Sequence, residues 1–501
     1  MRMMGLLALG LVGCTCGPLR AVPEGPNVLV LVLDTVRADR LSTYGYGRPT
    51  TPALDAFAAQ GRVFERAVSP GMWTVPSHAS LFTGLHVRSH GAHAGHKWLD
   101  DSHHTLAELL YAHGWDTWLF SANPFLGDHT NLAQGYAERH FPWDDRFVDA
   151  ATAATMAKLD ARDASQPLGP RFSGHKVSTG RDNDRVKDAG VIAADALIDW
   201  VGGRMQPSRP WHAVINYMEA HTPRIPSLAS RRALFDAEAI EAQLAVDQSH
   251  GRLLTHLTGV DVMPDDEVAL VSDVYDASLR ELDVALAHLF GRLQDEGLLS
   301  DTLVIITGDH GEHLGEHGLM DHKFSVYNPL VRVPLILRYP RKVPAGRDRT
   351  LVSTLDVYAT VAKLLGLAPP EGLSSEDLLA PRARQEAFTE LVEATPLALK
   401  RIARAYAGFD PKPFLLRRAA VEVDDAKCIE REDGHRELFN LPEDPLETKD
   451  VSADDPERTA RICDRVRAWQ VKLPRHEGVR PVAPALDDDM RRRLETLGYV
   501  E

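Results

Sequence analysis

The chain has 501 residues, with 56 Lys and Arg against 71 Asp and Glu, a net charge of −15. That length supports a large core and two or three domains, and the acidic balance excludes nucleic acid as a partner. An anionic substrate would need positive charge gathered locally, from a metal ion or from Lys and His.

Residues 1–13 carry one Arg and then a short apolar run, the pattern of a secretory signal too short to span a bilayer. Leu11-Val12-Gly13-Cys14 resembles a bacterial lipobox, which implies cleavage before Cys14 and a lipid anchor on it in the cell envelope. Residues 14–26 then form a tether. Of the remaining cysteines, Cys428 and Cys463 could pair in an oxidising compartment, leaving Cys16 over.

The run NVLVLVL at 27–33 is continuously apolar and predicts a strand buried on both faces, ending at Asp34. Helices are predicted at 51–61 and 105–114, with a strand at 117–120 ending near Asn123. Residues 160–188 are polar, without a period, and read as an inserted loop. A helix at 191–201 precedes a buried strand at 212–218, which runs into Glu219-Ala220-His221. Residues 227–265 read as helical insertion material, and 268–296 as a long helix. The strand at 303–306 delivers Asp309, His310 and Glu312 from a glycine-punctuated run, TGDHGEHLGEHG, and another strand follows at 333–337. Strands alternating with helices predict a doubly wound α/β fold. Beyond about residue 370 the chain is more polar and Pro-punctuated, with strand-like runs near 414–416, 420–423 and 437–441. This predicts a smaller domain, 371–501, with its own antiparallel sheet.

Asp34, His221 and Asp309-His310 each follow a predicted buried strand, and ligands gather at the carboxyl ends of strands in open α/β sheets. Carboxylate oxygen and imidazole nitrogen are ligands shared by Zn, Mn, Mg and Ca. In GMWTVPSHASLFTG, Pro76 marks the first turn of a helix. That places Thr74 at a helix N-terminus, where backbone N–H groups favour negative charge. A hydroxyl there beside a metal can act as a nucleophile.

These segments together resemble the sulfatase branch of the alkaline phosphatase superfamily: 27–46, TVPSHASLFTG at 74–84, EAHTP at 219–223, the TGDHGEHLGEHG block with Lys323, and ELFNLPEDPLET at 437–448. The resemblance implies a large central, mostly parallel sheet between helices over 27–370, followed by a C-terminal α+β domain. It implies one divalent metal ion on Asp34, Thr74, Asp309 and His310, with Thr74 as nucleophile. Thr35, His78, Asn123, His221 and Lys323 would contact the ester group, and His221 would protonate the leaving oxygen. The substrate class is a small anionic ester, or one on a glycan or lipid.

The departures bear on the reaction. Thr74 stands where sulfatases carry the Cys or Ser that becomes formylglycine, and Thr cannot yield that aldehyde. His78 replaces an Arg, Thr35 replaces the second of two adjacent acids, and Asn123 aligns with a Lys. Thr as a direct nucleophile occurs in the phosphodiesterase and phosphotransferase branches, so phosphate diesters and phosphonates are expected to outrun aryl sulfates. An envelope phosphotransferase and a non-catalytic binding lipoprotein are the alternative readings.

Overall fold

The computed structural model describes residues 23–163, 189–381, 384–393, 396–473, 475–476, 490–491 and 494. The signal segment, Cys14 and residues 164–188 of the expected inserted loop lie outside them.

An eight-stranded sheet forms the centre. Its strands are β1 (Asn27–Leu33), β2 (Arg62–Val68), β3 (Asp116–Ser121), β4 (Glu138–His140), β5 (Trp211–Tyr217), β6 (Thr302–Gly308), and, beyond the hairpin β7 (His313–Leu314) and β8 (Met320–Asp321), β9 (Arg332–Arg338) and β10 (Gly346–Ser353). The order is β10-β2-β9-β6-β1-β5-β3-β4, parallel throughout except for β9. β1 shows why. Leu29, Leu31 and Leu33 enter one apolar cluster with the helices Gly190–Gly203 and Asp265–Asp295. Val28, Val30 and Val32 enter the cluster on the other face, with the helices Thr74–Thr83 and Asp356–Leu364. A strand apolar on both sides needs cover on both sides, and the result is a three-layer α/β/α sandwich.

Register places the site. Leu33 sits opposite Gly308 on one neighbour and Tyr217 on the other, and Asn216 sits opposite Ser121. Four adjacent strands therefore end together, and the residues that follow them share one edge.

Three strands of the central sheet escape sequence reading. β2 interleaves Arg62, Glu65 and Arg66 with apolar residues, and these charges find partners in Asp348, Arg347 and Glu422. β10 is the edge strand beside it, and β4 has only three residues. The stretch expected as helical insertion, 227–265, is three helices, Leu228–Arg232, Ala237–Ala245 and His250–Leu257. The last of these packs into a cluster with Met320 and Phe324, next to the β8 turn.

The second sheet is antiparallel, β11 (Glu386–Leu391), β12 (Arg418–Val423), β13 (Ala426–Arg431) and β14 (Arg436–Asn440). The run near 414–416, expected as strand, instead closes a short helix, Lys412–Leu415, since Pro413 supplies no ladder N–H. Residues 374–378 bond to Gly84, Asp356 and Thr360, and the second sheet begins at Glu386. One face of this sheet packs under the helix Pro456–Lys472, where Cys428 and Cys463 form a disulfide with Cα atoms 5.4 Å apart. The other face shares a core with Val68, Met72, Leu330 and Val331, so the two domains are fused along a hydrophobic seam.

Candidate active site

Asp34 leaves β1 and Asp309 leaves β6, side by side. Gly308 permits this approach, because a Cβ there would lie 2.8 Å from the Val36 carbonyl. Asp309 Oδ1 is held by the backbone N–H of Thr35 at 3.3 Å and of His310 at 2.8 Å. Asp34 Oδ2 accepts from Asn123 Nδ2 at 2.7 Å and lies 3.4 Å from Asn216 Nδ2. His310 donates from Nδ1 to the Gly311 carbonyl at 3.0 Å, which leaves Nε2 as a lone-pair nitrogen. That Nε2 lies 3.3 Å from Asp309 Oδ2 and 3.9 Å from Asp34 Oδ1.

These three atoms, Asp34 Oδ1, Asp309 Oδ2 and His310 Nε2, are buried and have no hydrogen-bond partner among the described residues. They face one another within 4.8 Å. Two buried carboxylates converging without a cation are costly. Burial pushes both carboxyls up to about 7, with Asp309 adding to the rise at Asp34, and burial pushes His310 down to about 4. The donor set fits one divalent ion, two oxygens and a nitrogen with backbone-fixed orientations.

Thr74 is the first residue of its helix and is fully buried. Its Oγ accepts from Asn123 Nδ2 at 3.2 Å, so one amide spans the hydroxyl and Asp34.

A second group, Glu312, Asp321 and His322, also has ligand-type atoms within 4.8 Å of one another. It differs in carrying its own cations. Glu312 pairs with Arg224 at 2.6 Å, and Asp321 pairs with Lys323 at 2.6 Å and His250 at 3.4 Å. Burial works against a charge on His322, but Asp321 and Glu312 outweigh it and push the imidazole up to about 10. The His322 ring lies between those of His310, at 4.7 Å, and His221, at 5.0 Å. This group is a neutralised ion-pair network that places an imidazolium beside the first group. Asp321 and Phe324 flank it with φ of 68° and 65°, strained for side-chain-bearing residues.

The remaining expected contacts divide. His221 lies within the cluster, its Nδ1 donating to the Thr222 carbonyl. Lys323 reaches the cluster through Asp321, to which its ammonium is bound. Thr35 turns its hydroxyl onto the Asp34 carbonyl at 2.7 Å and supports Asp309 by its backbone N–H. His78 is likewise an internal strut. Its Nδ1 donates to the Thr74 carbonyl at 2.9 Å, its Nε2 lies 3.4 Å from Asn216 Nδ2, and burial pushes it down to about 3, so it is uncharged.

Sequence reading missed Asn216, His322, Arg224 and Lys97. The amide of Asn216 inside the apolar strand WHAVINY was the available signal for the first. Lys97 had none. Its ammonium lies 5.3 Å from the Phe125 ring centre and 6.0 Å from that of Trp73, the residues flanking Asn123 and Thr74. It has no carboxylate within ion-pairing distance among the described residues, and burial lowers its pKa.

Comparison with known proteins places this geometry in context. The family model described as Sulfatase matches residues 26–367, and that described as N-sulphoglucosamine sulphohydrolase, C-terminal, matches 315–471. Arylsulfatase K of Bos taurus is 24% identical over 480 residues, 90% of this chain and 83% of the relative. N-acetylglucosamine-6-O-sulfatase of Bacteroides thetaiotaomicron is 22% identical over 495 residues, 90% and 86% of the two chains. The crystal structure of a phosphonate monoester hydrolase of Agrobacterium radiobacter superposes with a TM-score of 0.68 at 21% identity, covering 89% of this chain and 96% of its own.

Proposed function

This chain belongs to the sulfatase family of the alkaline phosphatase superfamily and is an ester hydrolase of sulfuric or phosphoric type, and from that premise we propose a metal-dependent hydrolase that uses Thr74 itself as nucleophile on a phosphate diester or phosphonate ester. The observation that carries the reading is the trio of unpartnered donor atoms on Asp34, Asp309 and His310, with Thr74 Oγ tied to the same Asn123 amide. A divalent ion held by that trio and Thr74 would supply Lewis-acid charge to the ester oxygens and acidify the Thr74 hydroxyl.

The chain's own residues do the rest. Asn123 orients Thr74 Oγ, and the first turn of the Thr74–Thr83 helix offers backbone N–H groups toward developing negative charge. The Thr74 hydroxyl would give up its proton to solvent on meeting the ion; the Thr74 Oγ–phosphorus bond forms as the bond to the leaving oxygen breaks, and His221, entering as imidazolium, gives that oxygen its proton from Nε2. Water then cleaves the phosphoryl-Thr ester, one of its protons returning to His221 and Thr74 Oγ regaining a hydrogen. The imidazolium of His322 and the ammonium of Lys97 add positive charge, Lys97 standing in for the cation that Asn123 replaces. A sulfate ester on Thr lacks the elimination route that formylglycine gives, so aryl sulfates are the poorer substrates. The likeness to a sugar 6-O-sulfatase supports a glycan carrying the ester, and the lipobox-like run Leu11-Val12-Gly13-Cys14 supports a lipid anchor in the cell envelope.

The test is turnover by purified protein with Mn, Zn, Ca or Mg against an aryl sulfate, a phosphate monoester, a phosphate diester and a phosphonate ester. The expected order puts the diester and phosphonate first. Aryl sulfate outpacing every phosphorus ester would overturn the Thr74 chemistry.

A further inference from the structure

A second concentration of positive charge lies outside the residues of the site, where Arg88 meets the second sheet. A cleft of about 340 Å³ is lined there by six arginines, Arg88, Arg417, Arg418, Arg431, Arg467 and Arg475. Three glutamates also line it, so its walls carry an excess of positive charge in a chain whose net charge is −15. Two of the arginines are neutralised, Arg431 by Asp433 at 2.7 Å and Arg467 by Glu430. The other four have no carboxylate within ion-pairing distance among the described residues. Among the described residues Arg418 donates to the carbonyls of Leu416, at 2.9 Å, and Pro413, at 2.8 Å. Burial and the neighbouring Arg431 lower its pKa. Arg88 Nε and Nη1 are buried without a hydrogen-bond partner among the described residues.

Glu390, which also lines the cleft, makes no ion pair with its arginines among the described residues. Glu390 is 6% exposed and accepts the Arg88 backbone N–H at 2.8 Å. Burial pushes it up to about 7, against the pull of Arg88. Converging guanidinium groups repel one another, and an oxyanion that takes paired N–H donors relieves that repulsion. The ligand chemistry is therefore sulfate, phosphate or carboxylate. The cleft also lacks what nucleic acid would use. The Trp469 indole is covered by a stacked Phe388 at 4.6 Å and by the Arg88 guanidinium at 5.3 Å, so it offers no open face to a base. The volume lies at the low end for small-ligand pockets, room for a sugar unit rather than a long acyl chain.

We propose that this arginine cleft, at the seam of the two domains, binds a second anionic group of a glycan substrate. The identity of that substrate rests on the reading given under Proposed function; the anion site rests on the arginines themselves. The experiment measures calorimetric binding of a heparin-derived hexasaccharide, its desulfated and carboxyl-reduced counterpart and inorganic sulfate to the full chain. Wild type is compared with Arg417→Ala, an exposed position, and with Arg417→Ala/Arg418→Ala. Melting temperatures check folding, and turnover of a small phosphonate ester is followed in parallel. The expected result is hexasaccharide binding weakened at least tenfold in the double variant and partly in the single one, with small-ester turnover unchanged. Equal affinity of the three proteins for the hexasaccharide, or equal affinity of wild type for the desulfated chain, overturns the cleft. Inorganic sulfate binding as tightly as the hexasaccharide overturns its assignment to a glycan. Absence of small-ester turnover by wild type would count against the catalytic reading alone, because binding reports on the cleft independently.

Discussion

Replacing Asp34 by Asn should stabilise the metal-free protein and remove its response to metal. Two buried carboxyls have ligand oxygens within 4.8 Å of each other that accept no hydrogen bond among the described residues. At an effective dielectric of about 20, unit charges at that separation repel by about 3 kcal/mol. Asp34→Asn keeps an oxygen to accept from Asn123 Nδ2 and removes the charge. A chain of 501 residues has an unfolding entropy of about 1 kcal/mol/K, so the metal-free variant should melt about 3 °C higher than wild type. The assay is calorimetry at pH 8.5 in chelator, where both carboxyls are above the value of about 7 to which burial pushes them. Divalent metal at a hundred times its Kd should stabilise wild type by about 2.7 kcal/mol and leave the variant unmoved. A variant that melts below wild type in chelator, or that gains the same shift from metal, would refute the assignment of these atoms as a metal site.

Other outcomes follow from the same contacts. Thr74→Ala should lose at least about a hundredfold in kcat, the order that removing a nucleophile costs, while Thr74→Ser keeps part of the rate; near wild-type turnover by Thr74→Ala would show that water attacks directly. Lys97→Ala should raise KM for a phosphonate ester about tenfold and Lys97→Arg should restore most of it, steady-state kinetics being the check; an unchanged KM would remove Lys97 from the site. Burial opposes ionisation of Glu281, but Lys158 at 2.8 Å and the hydroxyls of Ser227 and Ser230 outweigh it and hold the carboxyl at about 2. A carboxyl lowered in the folded state adds stability above its unfolded value near 4.5, and that contribution fades as pH falls toward 2. Denaturant melts of wild type and Glu281→Gln should therefore differ by about 2 kcal/mol at pH 7 and converge by pH 2, and a constant difference would contradict the pairing. Expressed in a bacterial host, the full chain should partition into detergent and Cys14→Ser should not; a wild-type protein found only in the soluble fraction would argue against the lipid anchor.

The sequence by itself determined what depends on local pattern. NVLVLVL can only be a strand covered on both faces, and the carboxylates that end such strands are forced to one edge of a parallel sheet, so the neighbourhood of Asp34, Asp309 and His310 follows from periodicity. Helix entry at Thr74 followed from Pro76, and the loop block 307–318 announced itself by composition. Tertiary structure decided what depends on partners distant in the chain. Charge-rich β2 is a strand only because Asp348 and Glu422 meet its arginines. His78 is a neutral strut and not a cationic anchor because burial at the helix start strips its proton. His322 is charged for the opposite reason, since Asp321 and Glu312 converge on it from the turn at β8 and from the loop after β6. Cys428 met Cys463 because a helix laid across the second sheet brought them within 5.4 Å. The arginine cleft has no sequence signature at all: its side chains come from four separate segments, and only the packing of the second sheet against the large domain gathers their charge.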